Sequence, residues 1–326
     1  MGSEEEIRYQ RIRELILMNE PDNEYEFAIS SNLYDQLKQD LGKDNEDNSY
    51  PRLLYNWTRQ VVTIVTAPTR LHEDTSQAIL SSLFNRVQSI LQRERIHLGT
   101  GQSLGSSTGP TTLIEDGHSY YEMEPDGVIF FETQDATEFK VVIEVGVTQR
   151  YDSLLEKARK WLCDQRCRIV ILLAFNESER YCAPRNHISL SRRERNDMVV
   201  QMRRHWLSPS FSQFGPLEFR RHIWLNEISE AFVEVVRNDP DSDGTNALTR
   251  MKYALIDAGR DESSSVPAAV GDIRLGEFIP PDTLGSDAAA DIVVDFFNSD
   301  NFMDIVRRAM VNTAVRRFQR VVRRTD

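Results

Sequence analysis

The chain has 326 residues, with 39 Lys and Arg against 51 Asp and Glu, for a net charge of −12. Hydrophobic residues make up 40% and charged residues 28%, with only 15 Gly and 12 Pro, which excludes collagenous, low-complexity and wholly disordered classes and suits one large domain or two ordinary ones. No apolar run approaches the roughly 20 residues of a membrane span, and the start MGSEEEIRYQ lacks the apolar centre of a secretory signal. The expectation is an intracellular protein of nucleus or cytoplasm with no membrane partner.

In chain order, apolar spacing at Ile7, Ile12, Leu15 and Ile16 predicts a helix over 4–18, and a second helix is expected over 25–41, before a polar break at 42–51. Residues 56–66 run into the boundary signal Ala67-Pro68-Thr69. Thr75 is the expected N-cap of a long helix over 76–93, with Ile79, Leu80, Leu83, Phe84, Val87 and Leu91 on one face. The glycine-rich segment 99–109 reads as a flexible loop without the Gly-Lys-Ser/Thr of a phosphate cradle. One or two strands broken at Pro125 are expected over 118–132, a polar turn over 133–137, a strand over 139–147, an amphipathic helix over 151–162 and a buried strand over 168–175. Further on come a strand over 217–225, a helix over 226–237, linkers at 238–244 and 260–267, and helices over 288–294 and 301–324.

Charge is segregated. The first fifty residues hold thirteen acids and five bases, whereas 185–221 carries eight arginines against Glu194, Asp197 and Glu218, and 307–326 seven arginines and one acid. Phosphate neutralisation drives nucleic-acid binding, so Arg192, Arg193, Arg203 and Arg204 are the expected backbone contacts. The acidic N-terminal and helical C-terminal regions are candidate surfaces for a protein partner. The three cysteines form no disulfide framework. Cys163 and Cys167, even with His187, lack a second pair of zinc ligands, and Cys167 leads into an apolar strand where a thiol packs as a small hydrophobe. The six histidines show no metal-binding spacing.

The chemistry concentrates between 118 and 162. Asp126 follows Pro125 at the start of one strand, and Glu144 lies late in the next. A hairpin about Asp135 sets the two opposite each other, where cross-strand Cβ atoms lie about 5 Å apart. Two carboxylates that close repel unless a cation sits between them, and Mg²⁺ or Mn²⁺ is the expected ion, because hard divalent metals take one or two carboxylates with water and phosphate oxygens. Along 139–147 the odd positions are apolar and are expected to face the core. Lys140, Val142, Glu144 and Gly146 share the other face, where a charge is expensive unless paired or functional.

Pro125-Asp126, then Glu144 in an apolar strand, then a helix and a buried strand resemble the PD-(D/E)XK nuclease superfamily. Residues 143–162, IEVGVTQRYDSLLEKARKWL, are similar to its divergent fungal-type members, whose acid strand reads Glu-Val-Gly and runs into Tyr-x-x-Leu-x-x-x-Ala-x-x-Trp-Leu. Residues 216–235, PLEFRRHIWLNEISEAFVEV, also resemble the segment after the core in those proteins. The resemblance implies an α/β restriction-endonuclease-like fold with an α-β-β-β-α-β core and a mixed sheet over 67–237. An acidic helical region would precede the core over 1–66, and a linker and helical region with a basic tail would follow over 238–326.

It also implies a further metal-binding acid at the first helix, where Glu73 stands, and a lysine two residues after Glu144, where this chain has Gly146. Lys157, on the edge of the buried stripe of the following helix, is placed to substitute, while Lys160 is expected to turn towards solvent. Gln149 resembles a glutamine found at a similar place in some nuclease subfamilies. Two functions follow: a metal-dependent nuclease cutting phosphodiesters in DNA or RNA, with Asp126 and Glu144 on the metal and Lys157 and Gln149 at the water, or a catalytically silent module for nucleic-acid binding or protein interaction.

Overall fold

The structure, a computed structural model, describes residues 4–18, 24–41, 51–110, 112–116, 119–179, 181–184, 188–208, 211, 214–239, 247–257 and 270–324. Helix α1 (Glu4–Met18) is followed by β1 (Glu24–Ala28), α2 (Ser31–Asp40), β2 (Arg52–Asn56), β3 (Val61–Val65) and the long helix α3 (Arg70–Arg93). Strands β4 (Ser103–Ser107), β5 (Thr112–Asp116), β6 (Ser119–Met123), β7 (Gly127–Glu132) and β8 (Thr137–Val147) lead to α4 (Tyr151–Cys163) and β9 (Ile169–Glu177). Then come β10 (Ile188–Leu190), α5 (Arg192–Trp206), β11 (Leu217–Phe219), β12 (His222–Leu225), β13 (Ile228–Asn238) and β14 (Leu248–Asp257). Two short helices, α6 (Pro281–Leu284) and α7 (Asp287–Ala290), precede α8 (Ser299–Val321) and β15 (Val322–Arg324).

The architecture is α/β. A six-stranded mixed sheet runs β14-β13-β9-β8-β7-β4, with β8 and β9 parallel across the α4 crossover and the other pairs antiparallel. On one side α3, α5 and α8 pack Leu83, Met202 and Phe318 against Val141, Ile143 and Val145. On the other, α4 packs Leu154, Ala158 and Trp161 against Val142, Val170 and Leu172. Burial on both faces explains why β8 and β9 read as nearly continuous apolar runs. A second sheet, β1-β3-β2-β6-β5, closes on α1 and α2 through Ile12, Leu37, Tyr55 and Ile64.

Several expectations are corrected. The first 66 residues are not purely helical. Tyr25 and Phe27 lie on β1, which pairs with β3, and the sheet of β1–β3 is completed by β5 and β6 from beyond residue 110. Helix α3 begins at Arg70, capped by Thr69 Oγ1, which accepts from the His72 N–H at 3.4 Å. Thr75 is buried inside the helix, its hydroxyl donating to the Leu71 carbonyl at 2.6 Å. The segment 99–109 holds β4, the edge strand beside β7. The segment 226–237 holds β13 inside the sheet instead of a helix, 217–225 is a two-stranded hairpin, and the 301–324 segment ends in β15 instead of continuing as helix. Only Asp287–Ala290 is helical around 288–294.

The C-terminal region is built into the core, with Val270, Phe278, Val306 and Phe318 buried against the sheet. Most of the 42–51 break and the linkers at 238–244 and 260–267 lies outside the described residues, as do His118 and His187. Among the described residues no helix is long and apolar enough to cross a membrane.

Candidate active site

The β7–β8 hairpin sets the geometry. Its turn is closed by the Thr133 N–H donating to the Ala136 carbonyl at 2.8 Å, with Glu132 opposite Thr137. The pairing shifts by one residue where Ile129 faces Val141 and Phe130 faces Phe139, which leaves Lys140 as the extra residue of a β-bulge. Beyond it Gly127 faces Ile143, and the same register carried one step further sets Asp126 opposite Glu144. Asp126 stands just ahead of β7, its N–H donating to the Ile143 carbonyl at 3.1 Å.

The bulge also corrects the expected alternation. Phe139 joins the α4 face, 6.2 Å from the Trp161 ring, and Lys140 turns to the other side, over Phe131. Glu144 keeps its expected place on the α4 face.

Helix α4 supplies the partners of Glu144. Lys157 and Trp161 are one turn apart, at the i,i+4 spacing that stacks side chains on one face. The Trp161 indole N–H donates to Glu144 Oε1 at 2.7 Å, and Lys157 Nζ lies 3.8 Å from Oε2. The Glu144 side chain is only 2% exposed, so these contacts meet a charge that burial would otherwise make costly. Lys157 thus reaches the carboxylate from the helix. A Cβ at Gly146 would lie 2.6 Å from Leu154 Cδ1 and 3.2 Å from Gln149 Cβ, so a side chain in line with Glu144 would have to displace the buried end of Leu154.

Asp126 has a different set of partners. Its Oδ2 accepts from the Val145 N–H at 2.7 Å and lies 3.2 Å from His72 Nε2. Burial pushes the Asp126 carboxyl up, but the His72 imidazole, its hydrogen bond, the Lys157 ammonium and the Val145 N–H outweigh it and hold the carboxyl below its ordinary value. His72 was missed in the sequence. With the helix expected to begin at 76, residue 72 falls before it, whereas the Thr69 cap puts it in the first turn, where it lines the cleft. The available signal was Pro68-Thr69, an N-cap candidate followed by Glu73 and Asp74 where acids favour a helix start.

Asp126, Glu144, Lys157, Gln149 and His72 line one cleft of about 550 Å³ between α4 and the second sheet. Its cations are Arg52, Arg59, Arg150, Lys157 and Lys160, and its acids Glu26, Glu122, Glu124, Asp126, Glu144 and Glu156. Glu73 does not line it. Its carboxylate is 3.3 Å from Arg70 and 3.4 Å from Arg316 of α8. Lys160, expected in solvent, lines the cleft, 3.5 Å from Glu156 and over the Tyr121 ring. Arg192, Arg193, Arg203 and Arg204 are exposed on α5, whose buried residues pack on the sheet face opposite α4, so they do not border the cleft.

Thr148, between β8 and Gln149, also lines the cleft, with φ +58°. It is the one β-branched residue among the described non-glycine residues at positive φ, the others being Gln60, Arg95, Arg166, Arg220, Arg221 and Asp272. A β-branched residue there is strained by about 1–3 kcal/mol. Thr148→Gly relieves that strain but adds roughly 0.5–1 kcal/mol of unfolded-state entropy. In chemical denaturation it is expected to be as stable as the wild type or slightly more so; a clear loss would mean the backbone is unstrained.

Comparison of the chain with family models, with curated proteins and with solved structures returned no match. Among the described residues no group of three or more His, Cys, Asp and Glu side chains is arranged to hold a metal ion. A hard divalent ion fits the donor set that is present, since two carboxylates with solvent suffice for Mg²⁺.

Proposed function

We propose that the protein is a metal-dependent nuclease that hydrolyses phosphodiester bonds in DNA or RNA. The observation that carries the proposal is the register that sets Asp126 opposite Glu144 with a lysine ammonium 3.8 Å from the second carboxylate, all lining one cleft. The order α3, β4, β7, β8, α4, β9 in and around the six-stranded sheet is compatible with the α-β-β-β-α-β order that the resemblance implies and supports the same reading. The hairpin β5–β6 is inserted between its first and second strands.

Asp126 and Glu144 would hold Mg²⁺ or Mn²⁺, which when bound neutralises phosphate charge and makes water a better nucleophile at neutral pH. Around them, His72 and the Val145 N–H fix Asp126, and the Trp161 N–H fixes Glu144. Lys157 brings a positive charge that opposes the negative charge growing on the phosphoryl oxygens. Gln149, beside Gly146, is placed to hold water by hydrogen bonding.

The test is cleavage of nucleic acid with Mg²⁺ or Mn²⁺. Lys157→Ala is expected to lower the rate by about 10²–10³-fold without weakening metal binding. Lys160 borders the same cleft and is a poor control; Arg159→Ala, exposed on α4, should cut like wild type. Equal rates for Lys157→Ala and Arg159→Ala would remove lysine from the mechanism.

A second reading has its own observation. Both carboxylates already meet protein donors, Asp126 from His72 and Val145 and Glu144 from Trp161 and Lys157, and a network satisfied this way holds a silent binding module together equally well. Calorimetric titration with Mn²⁺ separates the two: binding lost in Asp126→Asn and Glu144→Gln favours the enzyme, and no binding favours the module.

A further inference from the structure

We propose that the substrate of this cleft is single-stranded nucleic acid, engaged over only a few nucleotides, and that an intact duplex is kept from the carboxylate pair. This rests on the nuclease reading and narrows its substrate.

Three observations carry it. The first is recess. The Glu144 side chain is 2% exposed and that of Asp126 21%, so the carboxylates lie inside the cleft. Duplex phosphates ride on the outside of a rod whose persistence length is about 150 base pairs, and such a rod cannot fold a phosphodiester into a recess. A single strand can.

The second is size and stiffness. At about 550 Å³ the cleft is within the roughly 300–1,000 Å³ of sites that enclose one small ligand, room on the scale of a nucleotide. The wall facing α4 does not swing aside easily. Tyr55 is buried at 1% exposure, its N–H donates to Glu122 Oε2 at 3.1 Å, its hydroxyl donates to the Ile29 carbonyl at 2.9 Å, and it stacks on Tyr34 at 4.5 Å.

The third is charge. Duplex affinity grows with the number of phosphates neutralised, yet the cleft's five Lys and Arg face six Asp and Glu. Four of the five are already paired: Arg52 with Glu124, Arg150 with Asp152, Lys157 with Glu144 and Lys160 with Glu156. The arginines of α5 lie across the sheet, so they cannot lengthen the track. Enough positive charge remains for a short stretch of backbone and too little for a duplex face.

The experiment uses the full chain with short single strands of DNA and of RNA and the matching blunt duplexes. Cleavage is followed in Mg²⁺ and Mn²⁺, and binding by fluorescence anisotropy in Ca²⁺ over a range of salt. We expect one or both single strands to be bound and cut at least tenfold better than their duplexes. With two or three phosphates engaged, log K should fall against log salt with a slope no steeper than about −2.

A duplex cut as fast as its single strand, by activity that Asp126→Asn removes, overturns the substrate assignment and leaves the nuclease. A slope of about −4 or steeper also overturns it, because it means many more phosphates than the cleft accommodates. If no form of nucleic acid is bound or cut, the nuclease reading fails and the substrate assignment fails with it. The DNA and RNA arms decide which polymer is used.

Discussion

Asp126→Asn and Glu144→Gln are each expected to reduce divalent-metal-dependent cleavage by at least about 10²–10³-fold, the scale seen when one preorganised charge or donor is removed from an active site. The two losses should differ in their structural cost. Asp126→Asn can still present an oxygen to the Val145 N–H and the His72 imidazole, so its fold should be nearly as stable as the wild type. Glu144→Gln keeps an acceptor for the Trp161 indole but turns an amide N–H₂ towards the Lys157 ammonium. Two donors then face each other in a buried place, at a cost of about 1–3 kcal/mol. Single-turnover cleavage and urea denaturation measured on the same preparations separate these effects. Wild-type cleavage in either variant would move the active site elsewhere.

The largest loss of stability is expected from breaking the ion pair between α8 and the end of β9. Arg317 Nη2 and Nη1 donate to Glu177 Oε1 and Oε2 at 2.7 and 3.1 Å, with side-chain exposures of only 8% and 1%. Nη1 also donates to the Trp224 carbonyl, the guanidinium lies 4.2 Å from the Tyr181 ring centroid, and Glu177 Oε2 accepts from the Asn226 N–H. Arg317→Met leaves a carboxylate buried without its cation, which costs about 3–5 kcal/mol. Arg317→Met/Glu177→Leu removes both charges and should recover at least half of that loss, short of full recovery because the Asn226 N–H loses its acceptor. If the double variant is no more stable than the single, the deficit is one of packing, and the ion pair is not its cause.

What was legible in the sequence is what local pattern controls. The Leu154, Ala158, Trp161 and Leu162 stripe marks α4, and the acid embedded in Ile143–Val145 marks the strand that needs a cation. The carboxylate register was legible only by compensation: the turn lies half a residue before Asp135, and the bulge at Lys140 restores the offset. Strand β13 was misread for a physical reason. It lies between β9 and β14 and is buried on both faces over most of its length, so Phe232, Val233, Val235 and Val236 give no alternation, and Glu230 and Glu234 suggest a helix instead. Its β-branched content was the better guide. The facing wall of the cleft was not legible at all. Tyr55 and Glu122 are 67 residues apart in sequence, and only long-range strand pairing brings them together.

Strand β6 ends at Met123, and three residues later, past Glu124 and Pro125, the chain arrives at Asp126. The wall of the cleft and one of its carboxylates are therefore one continuous piece of backbone, locked on the far side by the hydrogen bond from the Asp126 N–H to the Ile143 carbonyl. Force applied to the β5–β6 hairpin is transmitted to Asp126 through a proline-stiffened tether. Strands β1, β2 and β3 are tied to that hairpin in turn, through the Tyr55 N–H on Glu122, the Trp57 N–H on the Tyr120 carbonyl and the ion pair of Arg52 with Glu124. A displacement of the wall facing α4 is therefore felt at the carboxylate, because the two share one run of backbone.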